Sequence, residues 1–203
     1  MTGVQTCALP IYLALPHPAG GRTWADYFAD HNAPWADLFF ALPYAVFLHV
    51  VIAYAIWLFF RDRERMRLLL FSFACIYAIA MIIWIAAPSA PPWYVRDHGC
   101  AIDIAASSNA GALLRVDQLL GVHYFEMLYG HSPNPFGAMP SLHNAYAMLG
   151  LVIVWPIAGG KERAINVFYC AWMLVASMYL DHHWLVDGLA GWACAALATV
   201  LAG

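Results

Sequence analysis

From Leu38 to Phe60 the chain runs without a formal charge, and after one short charged break a second apolar run covers Leu68–Ala87. A helix needs about 20 predominantly apolar residues to cross the hydrocarbon core of a bilayer. Three more runs qualify by this reading: Ser141–Ala158, Ala164–Leu180 and Trp184–Gly203. A soluble fold has nowhere to hide five such stretches. The residues are 64% hydrophobic and 10% charged, against about a quarter charged in a soluble domain. The fold class is therefore all-α, a polytopic membrane helix bundle with five spans in this stretch of chain. Counting from the outer side leaves room for a sixth, upstream span, which the intact protein is expected to have.

Residues 12–203 read as a single membrane domain. Residues 1–11, Met-Thr-Gly-Val-Gln-Thr-Cys-Ala-Leu-Pro-Ile, resemble translated sequencing-adapter read-through and are set aside as non-native. Trp24 to Trp35 suits a short interfacial helix with aromatic anchors. Between Pro88 and Met139 lies a loop of about fifty residues, long enough to expect a function. Within it Asn109–Leu120 has a helical apolar pattern and reads as an interfacial helix. The five cysteines show no paired spacing; Cys75, Cys170 and Cys194 sit in apolar runs as packing residues.

Positive charge gives an orientation. Arg61, Arg63, Arg65 and Arg67 fill one break between spans, and Lys161 and Arg163 fill another. Arg22, Arg96 and Arg115 are the only others. Lys and Arg gather on the cytoplasmic side of membrane proteins, so both breaks read as tight cytoplasmic turns. The long loop then faces outward. No basic stripe suggests nucleic acid. The expected location is a bacterial plasma membrane, with the chemistry on the extracytoplasmic face.

The chemistry-bearing residues cluster on that face. His182-His-Trp-Leu-Val-Asp187 lies between spans four and five, Pro140-Ser-Leu-His143 opens span three, and Ala90-Pro-Pro-Trp93 ends span two. His183 and Asp187 are four apart, so on a helix they share a face. A carboxylate that accepts a hydrogen bond from one imidazole N–H leaves the other nitrogen basic and free to attack. Gly188 and Gly191 are expected to permit close helix packing. Asp181 reads as a solvated loop residue, and His49 as a satisfied histidine inside the bundle. His98, His123 and His131 read as loop residues. Trp93, Tyr94 and Trp184 suit an aromatic belt.

These paired motifs resemble the two histidine motifs of the type-2 phosphatidate phosphatase superfamily. The wording Ala-Met-Pro-Ser-Leu-His, with His-His-x-x-x-Asp and the upstream Ala-Pro-Pro-Trp, is most similar to its inositol phosphorylceramide synthase branch. The resemblance covers about residues 35–203. It implies a lipid phosphate phosphatase or a phospholipid head-group phosphotransferase working through phosphohistidine. His183 would be the nucleophile, Asp187 its orienting acid, and His143 the general acid and then base. Ser141 would hydrogen-bond the phosphate; beside what the resemblance implies, His182 and Trp93 are expected to contact substrate, and Arg96, with Arg115 as the alternative, to supply the cation. No cofactor is implied; the partners are a lipid phosphate or phospholipid and the bilayer. The sequence departs from the superfamily in lacking a Lys-x6-Arg-Pro motif. It also carries Ala176 and Ser177 where a Ser-Arg pair is usual. The alternative is a metal-dependent membrane hydrolase, with His143, His182, His183 and Asp187 as ligands. A third is a transporter or scaffold, in which these polar residues are structural.

Overall fold

A computed structural model describes residues 23–99, 101, 103, 105–132 and 134–203. The adapter-like segment 1–11, Arg22 and Cys100 lie outside those residues. The described elements are helices, joined by one isolated bridge between Ser89 and Gly137. In chain order they are α1 (Trp24–Asp30), α2 (Pro34–Arg61), α3 (Arg63–Ala86), α4 (Pro92–His98), α5 (Leu113–Leu120), α6 (Tyr124–Gly130), α7 (Leu142–Val154), α8 (Gly160–Tyr179) and α9 (Leu185–Ala202).

Local chemistry sets the boundaries. Thr23 and Asp26 form a reciprocal capping box that starts α1. Pro34 opens α2, where its missing N–H costs nothing. The charged break Arg61–Arg67 is an even tighter turn than its charge suggested. Arg, Glu and Met are good helix formers, and a single residue, Asp62, divides two long helices. Asp62 adopts an extended conformation and its carboxylate accepts from Arg65 N at 3.1 Å. Likewise Lys161, Glu162 and Arg163 belong to the first turn of α8, where Glu162 accepts from Gly159 N–H.

Among the described residues three helices are long and apolar enough to cross a membrane: α2, α3 and α9. The apolar stretch Leu142–Ile157, made of α7 and a 3-10 turn, is shorter. The α8 helix carries three charges in its first turn. A five-span count therefore depends on α7 and α8 as well. The segment between Pro88 and Met139 also holds more order than expected, because α4 and α6 form within it beside α5.

The α7 helix is the centre of the bundle and packs against α2, α3, α8 and α9. Glycines make its contact with α9 possible. A Cβ on Gly191 would sit 2.4 Å from the carbonyl oxygen of Ser141, and one on Gly188 would sit 3.3 Å from Asn144 Cγ. Both glycines thus do what the sequence suggested. At one end of the bundle Arg65 donates to the carbonyl of Ile153 at 3.2 Å and Arg163 to that of Trp155 at 3.1 Å. Both basic breaks therefore share that end, and the three polar motifs share the other.

Several single-residue expectations change. His49 is exposed on the outer surface of α2 rather than inside the bundle. Trp93, Tyr94 and Trp184 are buried and form no surface belt. Trp184 Nε1–H donates to the carbonyl of Ala90 at 2.9 Å, and Tyr94 O–H to that of Ala101 at 2.9 Å. Asp181 is buried, not solvated, and is paired with Arg96. Trp35, by contrast, is 73% exposed, as an interfacial anchor would be.

Candidate active site

Three segments far apart in sequence are tied together by hydrogen bonds at the end of the bundle away from the basic breaks. The first joins α3 to α4: Ser89 N donates to Phe136 O at 2.9 Å, and Ala138 N to Ser89 O at 3.2 Å. The second precedes α7: Ser141 N donates to Asp187 O at 2.9 Å. The third is the turn between α8 and α9, where Trp93 N donates to Asp181 O at 3.2 Å. Within that turn the N–H groups of His182 and His183 both reach Ser177 O, at 3.1 Å each. Backbone bonding thus fixes the histidines before any side chain contributes.

His183 precedes α9 instead of lying on it. Its partner Asp187 sits in the first turn of α9, fully buried, and accepts from Trp184 N at 2.8 Å. The nearest approach of the two side chains is 3.8 Å, from His183 Nδ1 to Asp187 Oδ2. That is longer than a hydrogen bond. The proton on Nδ1 goes to the carbonyl oxygen of Ala138 at 2.8 Å. A carbonyl only accepts, so this contact assigns the hydrogen to Nδ1 and leaves Nε2 with a free lone pair. The tautomer expected from Asp187 is present, but a backbone carbonyl sets it. Asp187 acts as helix cap and nearby negative charge.

His143, in the first turn of α7, brings a second imidazole to the site. Its ring centroid is 5.7 Å from that of His183. Tyr44 stacks on it at 4.2 Å and Phe47 meets it edge-on at 4.6 Å. Tyr129 Oη lies 3.3 Å from His143 Nε2. Burial raises the phenol of Tyr129 above its ordinary range, so it stays protonated.

His182 uses Nε2–H to reach the carbonyl of Ala110 at 2.9 Å. Burial, reinforced by neighbouring His183, lowers its pKa to about 3, so the ring is neutral. Gly111, at φ +53°, makes the contact possible: a Cβ there would lie 2.9 Å from Leu180 O. Only glycine takes that backbone conformation without penalty.

His143, His182 and His183 open together into a cavity of about 150 Å³, with Trp93, Asn109 and Tyr129 also on its wall. Four of the seven expected site residues therefore line it: His143, His182, His183 and Trp93. Ser141 does not; it is fully buried and its Oγ caps α7, accepting from Asn144 Nδ2 at 3.1 Å and Asn144 N at 3.4 Å. Asp187 lies behind the wall. Arg96 points elsewhere, its guanidinium forked onto Asp181 with Nη2 to Oδ1 at 2.9 Å. Arg115 is likewise engaged, holding Asp37 through Nε at 2.9 Å and Nη2 at 2.6 Å. Among the described residues no Lys or Arg lines the cavity. Nor do three His, Cys, Asp or Glu side chains among them converge as metal ligands would, because His182 Nε2 and Asp187 Oδ2 are turned to backbone partners.

Tyr44, Tyr129, the Ala138 carbonyl and the Ala110–Gly111 turn were not singled out by sequence reasoning. A tyrosine inside an apolar span was the one available signal, at Tyr44.

Comparison with known proteins decides the family. The model of the PAP2 superfamily matches residues 22–201. This chain belongs to the PAP2 superfamily. Among curated relatives it is 31% identical over 191 residues to a phosphoinositol dihydroceramide synthase of Bacteroides thetaiotaomicron, covering 86% of this chain and 58% of that protein. It is 31% identical over 159 residues to an inositol phosphorylceramide synthase of Candida albicans, covering 76% of this chain and 33% of that protein. The chain thus spans well under two thirds of either relative. Among solved structures it resembles Aquifex aeolicus LpxE, with a TM-score of 0.61 at 13% identity over 88% of this chain and 91% of that one. At that identity the likeness speaks for the fold alone.

Proposed function

We propose that this PAP2 member is an integral-membrane enzyme that transfers a phosphoryl-containing group from a lipid through a phosphohistidine at His183. The observation that carries the reading is the pair of imidazoles, 5.7 Å apart between centroids, on one cavity wall. That spacing suits a tetrahedral phosphate held between them. His183 Nε2, free of its proton, attacks phosphorus from about 3–3.5 Å. The P–O bond to the leaving lipid alcohol breaks, and His143 donates a proton to that oxygen. In the second half-reaction neutral His143 takes a proton from the acceptor, whose oxygen displaces Nε2 and releases the new phosphate ester. Asp187, 3.8 Å from Nδ1, favours the positive charge that builds on His183.

Water as acceptor makes a phosphatase, and an alcohol makes a transferase. The names of the relatives favour transfer of a phosphoinositol group to a ceramide-type alcohol, so we read this chain as a head-group phosphotransferase of that kind. By the distribution of Arg and Lys, the site faces the extracytoplasmic side, with α7 and α8 completing five spans. The purified chain, given labelled phosphatidylinositol with and without a ceramide-type alcohol, tests this. Label moving to the alcohol supports transferase action. Label released only as free inositol phosphate supports hydrolysis instead. No movement of label, from this lipid or from phosphatidate, overturns the reading.

A further inference from the structure

Among the described residues no arginine stands on the cavity wall, so Arg96 has another task. The α4 helix is seven residues long and carries Trp93 and Arg96 one turn apart. Trp93 lines the cavity, while Arg96 reaches across to the α8–α9 turn. Both nitrogens of its fork engage the two oxygens of Asp181, two residues before His183. The Asp181 side chain is 7% exposed and that of Arg96 is 42% exposed. Arg96 therefore neutralises a buried carboxylate from its solvent edge. Asp181 is also the one described non-glycine residue at positive φ, +67°. That conformation is tolerated by Asp but has to be held by its surroundings. Three contacts hold it: the Arg96 fork, Trp93 N–H on its carbonyl, and its own N–H on Met178 O at 3.1 Å.

We propose that Arg96 is a positioning residue: it acts on the reaction through Asp181, clamping the His182–His183 turn against α4, and does not touch the phosphoryl group. The inference rests on the function proposed above. Loss of the fork leaves Asp181 buried without its counter-charge, and the strained turn relaxes. His183 Nε2 then drifts from its line of attack, while the cavity wall that binds the lipid phosphate keeps its groups.

The test compares wild type with Arg96→Gln, Arg96→Lys, Asp181→Asn and the double variant Arg96→Gln/Asp181→Asn, all as the full chain in detergent. Two readouts are needed: kcat and KM on the lipid substrate, and the side-chain 15N signals of His183. Arg96→Gln is expected to lower kcat by about 100-fold, as a displacement of the attacking atom does, with KM within about twofold. Arg96→Lys recovers part of the loss, since a point charge cannot form the fork. The double variant loses no more than the worse single one, because both act through one contact. The His183 signals, a protonated Nδ1 and a bare Nε2 in wild type, shift toward a tautomer mixture in Arg96→Gln and Asp181→Asn.

A KM increase of about tenfold or more in Arg96→Gln with kcat kept would overturn the proposal in favour of direct phosphate binding. So would losses that multiply in the double variant, or His183 signals that Arg96→Gln leaves unchanged. If wild type turns over no lipid phosphate, the proposed function falls on its own account, and the His183 signals still decide the role of Arg96. The double variant guards against misfolding, since it removes the unpaired buried charge.

Discussion

His183 turns Nδ1 toward the carbonyl of Ala138, 2.8 Å away, and not toward Asp187, whose nearest oxygen is 3.8 Å off. In the proposed mechanism the tautomer and the charge stabilisation therefore come from different groups. Removing the Asp187 charge should slow the reaction without freeing the ring. Asp187→Asn keeps an oxygen to cap Trp184 N–H, so the chain folds. Its kcat should fall by about 100-fold, with the His183 15N tautomer signature intact. Asp187→Ala also loses the cap and should cost about 1 kcal/mol in stability, read from its thermal midpoint.

In the proposed mechanism His143 has a separable task. As general acid it matters most when the leaving oxygen is basic. His143→Asn should lower turnover of an alkyl lipid phosphate by about 100- to 10,000-fold. The first-turnover burst of p-nitrophenol from p-nitrophenyl phosphate should fall much less, because that leaving group departs without a proton, while steady turnover still waits on His143 as base. Equal losses of the first-turnover step on both substrates would remove His143 from the acid role.

The close approach of α7 and α9 predicts a sharp steric effect. Gly191→Ala places a methyl group 2.4 Å from Ser141 O, a contact that backbone atoms cannot evade. The substitution should destabilise the fold by about 1–3 kcal/mol and lower activity by shifting the start of α7. Unfolding midpoints in detergent measure it.

The pH response of the fold is set partly by His182. Above its ordinary pKa of 6.5 the ring is neutral whether folded or not. Between 6.5 and about 3 the unfolded chain takes up a proton that the buried ring refuses, so stability falls as pH falls. Asp181 works in the opposite direction. Burial raises it to about 6 against the pull of Arg96, so the folded carboxyl is protonated before the unfolded one at 3.8, and stability rises as pH falls through that window. His182→Asn should remove the first effect alone. The variant should lose less stability than wild type between pH 7 and pH 5, as read from thermal midpoints.

Much of this arrangement was legible in the sequence. Charge-free runs located the long helices because a bilayer leaves few alternatives. The basic breaks showed which ends lie together, and Pro140-Ser-Leu-His143 with His182-His183 located the cavity. What the sequence did not carry was the choice of partners. The Ala138 and Ala110 carbonyls have no side-chain identity, so nothing marks them as acceptors for His183 and His182. Arg96 and Asp181 stand 85 positions apart; the first reads as a cation for the phosphate and the second as a solvated loop residue, so nothing pairs them. Tyr129 reaches His143 from a seven-residue helix too short to show a periodic pattern. Asp62 alone makes the turn that the charge density spread over Arg61–Arg67, because a one-residue cap suffices between two good helix formers.

The central claim is a covalent bond between phosphorus and one nitrogen. Purified chain mixed with 32P-labelled lipid phosphate, quenched in alkali within the first turnover and digested, tests it most directly. The account predicts acid-labile, alkali-stable label on the peptide containing His183, lost in His183→Asn and accumulating in His143→Asn with p-nitrophenyl [32P]phosphate. Steady turnover with no label on that peptide, or undiminished turnover by His183→Asn, would contradict it.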